Sequence, residues 1–336
     1  MRAAVLRRPG PVDTYPLELE DVEPPVPAEH ELLVRVEVCG LCRTDLHVIE
    51  GELAPRRACV IPGHQVVGVV ERGAANGKGP RPGQRVGVAW LGSTCGACRF
   101  CATHRENLCL DPTLTGWTRD GGFAELVAAP AEFVYPLPDA IEAAHAAPLL
   151  CAGIIGYRCL RRTGLDALGW SGARLGIYGF GAAGHIAIQI ARARGARVFV
   201  CTRDEARHQA LALALGAEWV GGAMAMPPER LDASIVFAPA GEIVPPALAA
   251  LDRGGVLVLG GIHMSTIPSI EYAALYQERT VLSVMNNTRD DGRLFFEEAA
   301  RIGVQTIVQR YPLHEIGRAV VDLAHDAIRG AAVIEI

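Results

Sequence analysis

The sequence has no run of lysine or arginine, no apolar stretch long enough to span a bilayer, and no apolar core behind its first residues. Each absence removes a class of function. The 32 Lys and Arg are outnumbered by 37 Asp and Glu, leaving a net charge of −5, so a nucleic-acid partner is not expected. The longest apolar stretches, 143–157 and 256–270, are short and broken by Gly or Pro, which argues against a membrane span. Met1-Arg2-Ala3-Ala4-Val5-Leu6-Arg7-Arg8-Pro9 lacks the apolar core of a signal peptide, so a cytoplasmic protein is expected. What is present is a chain of 336 residues, half of them hydrophobic and 21% charged. That is a globular composition with room for two domains.

With no export signal, the ten cysteines point to metal or catalytic thiols rather than disulfides. Four of them, Cys95, Cys98, Cys101 and Cys109, are separated by two, two and seven residues. Four thiolates so spaced can wrap one tetrahedral ion and leave no position open, which describes a structural zinc site. A bacterial ferredoxin run has a shorter last spacing and a Pro after the final Cys; here Leu110 follows. A second set is dispersed. Val38-Cys39-Gly40-Leu41-Cys42-Arg43-Thr44-Asp45-Leu46-His47 puts a thiol, a hydroxyl and an imidazole within six positions, Cys42 to His47. His64 of Pro62-Gly63-His64 and Cys151 of Leu150-Cys151-Ala152-Gly153 offer one more nitrogen and one more sulfur. Three protein ligands and one open position describe a catalytic zinc site.

Around these motifs the texture changes along the chain. Residues 1 to about 90 read as short strands with turn residues between them, among them Leu32–Val38 and Val66–Val70, as in a barrel-like β domain. From Arg174 the pattern is βαβ. The strand Leu175–Tyr178 runs into Gly179-Phe180-Gly181-Ala182-Ala183-Gly184, a helix follows to Arg194, and Arg197–Cys201 is a second strand. In that register the glycines let a backbone approach a pyrophosphate at the helix N-terminus. Trp219-Val220 and the apolar runs 234–237, 256–259 and 281–284 can complete a six-stranded parallel sheet. The end of the second strand carries Thr202 and Arg203, with Arg207 a turn on, where an NAD site normally has an acid. NADP(H) is therefore expected over NAD(H), although Asp204 and Glu205 lie close enough for a shifted register to restore NAD.

Taken together, these pieces resemble the zinc-dependent medium-chain alcohol dehydrogenases. They are 40–47, 62–64, the four-cysteine cluster, 149–153 and 179–184, in that family's order. The resemblance implies a GroES-like, partly open β-barrel catalytic domain over 1–150, with a structural zinc lobe at about 92–112. It implies a Rossmann dinucleotide-binding domain over 151–285 and a return to the catalytic domain over 286–336. Its Gly-x-Cys-x-Thr-Asp pattern favours Cys42 over Cys39 as ligand. It uses six of the cysteines, so Cys39, Cys59, Cys159 and Cys201 read as small buried apolar side chains. It implies two zincs per chain and hydride transfer between a primary alcohol or aldehyde and the nicotinamide. Thr44 and His47 would relay the proton, Arg43 would contact the pyrophosphate, and Asp45 would orient a ligand. Ile262 falls among the cofactor residues, and Trp90, Leu91 and Trp117 fall where relatives line the substrate pocket. A homo-oligomer, dimer or tetramer, is implied too.

The chain departs from that pattern twice. Gln65 stands where Glu usually follows the His ligand, with altered pH dependence or substrate range as the expected consequence. Gly330-Ala331 stands where many relatives have Gly-Arg, removing one phosphate contact. Two other functions compete. One is a zinc-dependent reductase or dehydrogenase of a specific sugar, polyol or aldehyde; the other is a zinc- and nucleotide-binding protein without turnover. A zinc-free quinone-type reductase on the same fold would need neither cysteine set.

Overall fold

A computed structural model describes all of residues 1–336. The chain divides into two compact units, one of Met1–Cys151, Asn286–Ala300 and Gln305–Ile336, the other of Ala152–Met285 and Arg301–Val304. Cys151 thus falls in the first unit, one residue beyond the expected boundary, and residues 301–304 fall in the second. No single helix is long and apolar enough to cross a membrane.

The first unit is built on the strand Glu31–Leu41, whose Leu32, Val34, Val36, Cys39 and Leu41 are buried. Flanked antiparallel by Gln65–Arg72 and Ala331–Glu335, and paired at its start with Leu126–Pro130, it occupies the middle of a seven-stranded sheet. The sheet runs on through Arg85–Val88 to Val134–Pro136, and Val308–Pro312 forms its other edge, parallel to Ala331–Glu335. Two register irregularities, at Leu33/Val34 and Val36/Val38, bend the central strand as extra residues in a ladder do. This strand runs through Cys42 into the helix Arg43–Glu50. Fully burying each Val or Leu of the strand contributes roughly 1.5–3 kcal/mol, so the motif that follows it is carried on a well-anchored element.

The second unit is a six-stranded sheet, parallel throughout. Its order is Trp219–Gly221, Arg197–Cys201, Arg174–Tyr178, Leu231–Val236, Leu251–Leu259 and Thr280–Ser283. All five residues of Arg197–Cys201 except Arg197 are buried, as strands covered on both faces must be. The strand order reverses beside Arg174–Tyr178, and the helix Ala182–Ala193 starts just after that strand. Such a reversal is where ligands bind in open α/β sheets.

Candidate active site

Asp45 organises the dispersed ligands. It lies in the first turn of the helix Arg43–Glu50 and is 2% exposed. Its Oδ2 accepts the Cys42 backbone N–H at 2.9 Å, and its Oδ1 lies 3.0 Å from His64 Nδ1. A carboxylate only accepts, so a ring hydrogen sits on Nδ1, and in the neutral ring that a metal would bind the lone pair of Nε2 faces the other way. There Nε2 meets Cys42 Sγ at 3.5 Å, and Cys151 Sγ lies 3.9 Å from the same sulfur. The position of His64 depends on Gly63, whose φ is +97°. A Cβ there would come within 2.8 Å of Phe123 and 2.9 Å of Cys39 Sγ.

These distances test whether the three residues fit a zinc ion. Ligand bonds of about 2.3 Å to sulfur and 2.0–2.1 Å to nitrogen, at tetrahedral angles, put two sulfurs about 3.8 Å apart and a sulfur and a nitrogen about 3.5 Å apart. The donor atoms of Cys42, His64 and Cys151 all lie within 4.8 Å of one another, and the set fits. Contact with the Cys151 sulfur, together with burial, pushes the Cys42 thiol well above its usual range. Burial opposes a charge on His64, yet Asp45 and Cys42 outweigh it and push the imidazole up to about 10. A divalent cation among these groups inverts that balance and favours thiolate and neutral imidazole. Cys39 stays outside the group: its thiol is fully buried, 3.6 Å from the Gly40 carbonyl oxygen. Replacing Asp45 with Asn is expected to weaken zinc affinity about 10- to 100-fold; a chelator competition giving the unmodified affinity would contradict this role.

The four-cysteine cluster also closes. Cys95 Sγ lies 3.5 Å from Cys109 Sγ and 4.0 Å from Cys101 Sγ, and Cys98 and Cys101 are 3.6 Å apart. Backbone N–H groups of Cys98, Cys95 and Asp111 donate to these sulfurs at 3.3–3.4 Å. Amide donation from Cys101 lowers the Cys98 thiol to about 6, whereas burial raises Cys109. Four mutually adjacent sulfurs fit a tetrahedral ion with no open position.

Thr44 and His47 are one helical turn apart on Arg43–Glu50, hence on one face. Thr44 is 8% exposed, and His47 Nδ1 is 2.5 Å from Glu52 Oε2. Arg43 pairs with Asp326 at 2.5 Å. Trp90 meets His64 edge-on, with centroids 5.1 Å apart, and Trp117 stacks on Trp90 at 6.1 Å with 7° between planes. Leu91 is almost wholly buried and pairs with Leu114. Gln65 lies across Gly40, buried, with its amide nitrogen lacking a hydrogen-bond partner. Ala331 opens the strand Ala331–Glu335. One expectation fails: Cys59 is exposed, not buried, because it lies in the irregular segment after the helix Arg43–Glu50, outside the sheet. Glu52 and Asp326 escaped the sequence reading, since no period or motif links them to their partners.

In the second unit, Gly179 turns the chain at φ +89°, where a Cβ would meet the Ala238 backbone at 2.7 Å. Gly181 then caps the helix Ala182–Ala193, whose first turn holds Ala182, Ala183 and Gly184, while Phe180 is buried. Thr202 follows the strand end and is 4% exposed. Arg203 and Arg207 are exposed. Asp204 is already engaged, accepting the Arg207 backbone N–H at 2.9 Å as a helix cap. Ile262 is 64% exposed.

Residues 28–139 match the alcohol dehydrogenase GroES-like domain, and residues 182–301 match the zinc-binding dehydrogenase family. The Mycobacterium tuberculosis protein named "Probable alcohol dehydrogenase AdhA" is 51% identical over 99% of this chain and 97% of its own length. An alcohol dehydrogenase of Geobacillus stearothermophilus is 34% identical over 95% and 96%. Among solved structures, the cinnamyl alcohol dehydrogenase SbCAD4 of Sorghum bicolor superposes with a TM-score of 0.88 at 28% identity, covering 99% of this chain and 97% of that one. The Helicobacter pylori CAD complexed with NADP(H), 22% identical with a TM-score of 0.85 over 100% and 99%, shares the fold. The chain belongs to the zinc-dependent medium-chain alcohol dehydrogenases, oxidoreductases acting on small alcohols and aldehydes.

Proposed function

We propose that this chain interconverts primary alcohols and aldehydes with NADP(H) as the preferred cofactor, holding a catalytic zinc at Cys42, His64 and Cys151 and a structural zinc at Cys95, Cys98, Cys101 and Cys109. The observation that carries the reading is the meeting of two sulfurs and one imidazole nitrogen, with Asp45 holding both the Cys42 backbone and the His64 ring. Zinc bound there lowers the pKa of an alcohol and polarises a carbonyl. A bound nicotinamide would supply hydride to an aldehyde carbon, and the aldehyde oxygen would take up a proton. The Thr44 hydroxyl hands on that proton, and His47, oriented by Glu52, replenishes it from water. Trp90 and Trp117 form an aromatic wall beside His64, which favours primary over bulkier secondary alcohols.

NADP(H) preference is supported by Thr202 at the strand end, by Arg203 beside it, and by the commitment of Asp204 to a helix cap. The test compares NADPH and NADH oxidation with a small primary aldehyde, alongside zinc analysis. Faster turnover with NADPH is expected. Arg203→Ala should raise the KM for NADPH roughly tenfold, the scale of one charge-assisted phosphate contact, and leave that for NADH unchanged. Full NADPH affinity in that variant would sink the cofactor assignment while leaving the enzyme intact.

A homo-oligomer, dimer or tetramer, is part of this reading. The outer strand Thr280–Ser283 leaves one edge unpaired, and Tyr272, Tyr276 and Met285 in the flanking segments are exposed; sedimentation decides it.

A further inference from the structure

An aromatic ladder leads from the candidate zinc site to an unpaired charge. Trp90 stands edge-on to His64, and Trp117 stacks on Trp90 with nearly parallel planes. The Arg56 guanidinium lies over the Trp117 ring, 5.7 Å from its centroid. The end of the ladder is held in place: the Trp117 indole N–H donates to the Ala54 carbonyl at 3.2 Å, two residues before Arg56. An arginine laid on an aromatic face is preorganised, and its edge N–H groups remain available to a planar anion.

The neighbouring charges are already matched. Arg57 pairs with Asp120 at 3.0 Å, and Glu52 is taken by His47. Arg56 is exposed and lies against the Trp117 ring with no carboxylate paired to it. A short neutral alcohol has no use for a cation at the far end of two indoles. An extended substrate does.

Building on the reading of Cys42, His64 and Cys151 as the reaction centre, we propose that Arg56 is a specificity residue for alcohols and aldehydes with an extended apolar body and a terminal carboxylate. The hydroxyl or carbonyl end lies at the zinc ligands, the body runs past Trp90 and Trp117, and the carboxylate meets the Arg56 guanidinium. The contact is partly exposed, so it discriminates through charge and not through deep burial.

The test uses the zinc-loaded, full-length protein and two ligands, biphenylmethanol and the same molecule with a carboxylate at the far para position. Binding is followed by quenching of tryptophan fluorescence, which does not depend on turnover. The carboxylate should tighten binding about fivefold at low salt, the scale of a partly exposed ion pair, and the gain should shrink as ionic strength rises. Arg56→Gln should abolish the gain and Arg56→Glu should reverse it, the gain being read as the ratio of the two ligands' affinities within each variant. Arg56→Lys should keep part of it. An equal carboxylate gain in the original protein and in Arg56→Gln, or no gain in either, overturns the proposal. Oxidation of the neutral alcohol, measured separately, reports on the dehydrogenase reading: its loss with a persisting Arg56-dependent gain would fault that reading alone.

Discussion

Replacing His64 with alanine is expected to leave one zinc per chain in place of two and to lower turnover by roughly a thousandfold or more, because a Lewis acid contributes several kcal/mol to the transition state. The substitution removes an imidazole that is fully buried and whose Nε2 faces Cys42 Sγ at 3.5 Å. It also strips the buried Asp45 carboxylate of one of its two donors, which costs about 1–3 kcal/mol or more. Cys151→Ser is the control for that second effect, since it weakens the site and leaves the Asp45–His64 bond intact. Metal analysis with circular dichroism separates the two effects. A His64→Ala protein that still held both zincs would remove these residues from the metal site.

The second large effect belongs to the other cysteine set. In Cys109→Ser the catalytic zinc should stay, the structural zinc should go, and Tm should fall by about 5–10 °C, scaled from the free energy that structural zinc contributes to folding. The reason is local. Between Cys95 and Cys109 the chain has only two short 3-10 turns, Cys101–Thr103 and Glu106–Leu108, and few buried side chains. Without the ion, little apolar surface remains to hold the lobe. Loss of order should reach the helix Arg289–Ile302, because Glu106 accepts the Arg289 backbone N–H at 3.0 Å. Proteolysis within the lobe reads out the same change. An unaltered Tm with the structural zinc gone would show that the lobe folds on its own contacts.

What could be read from the residues depended on how local the physics was. The four cysteines span fifteen positions, so their spacing alone says that they can close around one ion, and the sulfurs do meet. The Gly179–Gly184 turn was legible for the same reason: strand, glycines and helix are consecutive, and the backbone conformation is written in the residue types. The parallel sheet followed from apolar runs in a βαβ rhythm. The β domain was visible as a texture, but its register was not, because the irregularities in Glu31–Leu41 arise only when that strand pairs with Gln65–Arg72.

The sequence by itself determined the fold class, the two sets of candidate metal-binding side chains and the absence of an acid at Thr202, since each rests on nearest neighbours or on a motif. Tertiary structure alone decided what those residues touch. Cys42 and Cys151 are 109 positions apart, and Arg43 and Asp326 are separated by 283. No period relates such pairs, and one register step in the sheet would part them. The exposure of Cys59, the pairing of His47 with Glu52 and the ladder from His64 to Arg56 are of the same kind. His47 and Glu52 are only five positions apart, across the end of a helix, and the ladder joins segments distant in the chain; both are settled by packing, when the whole core closes.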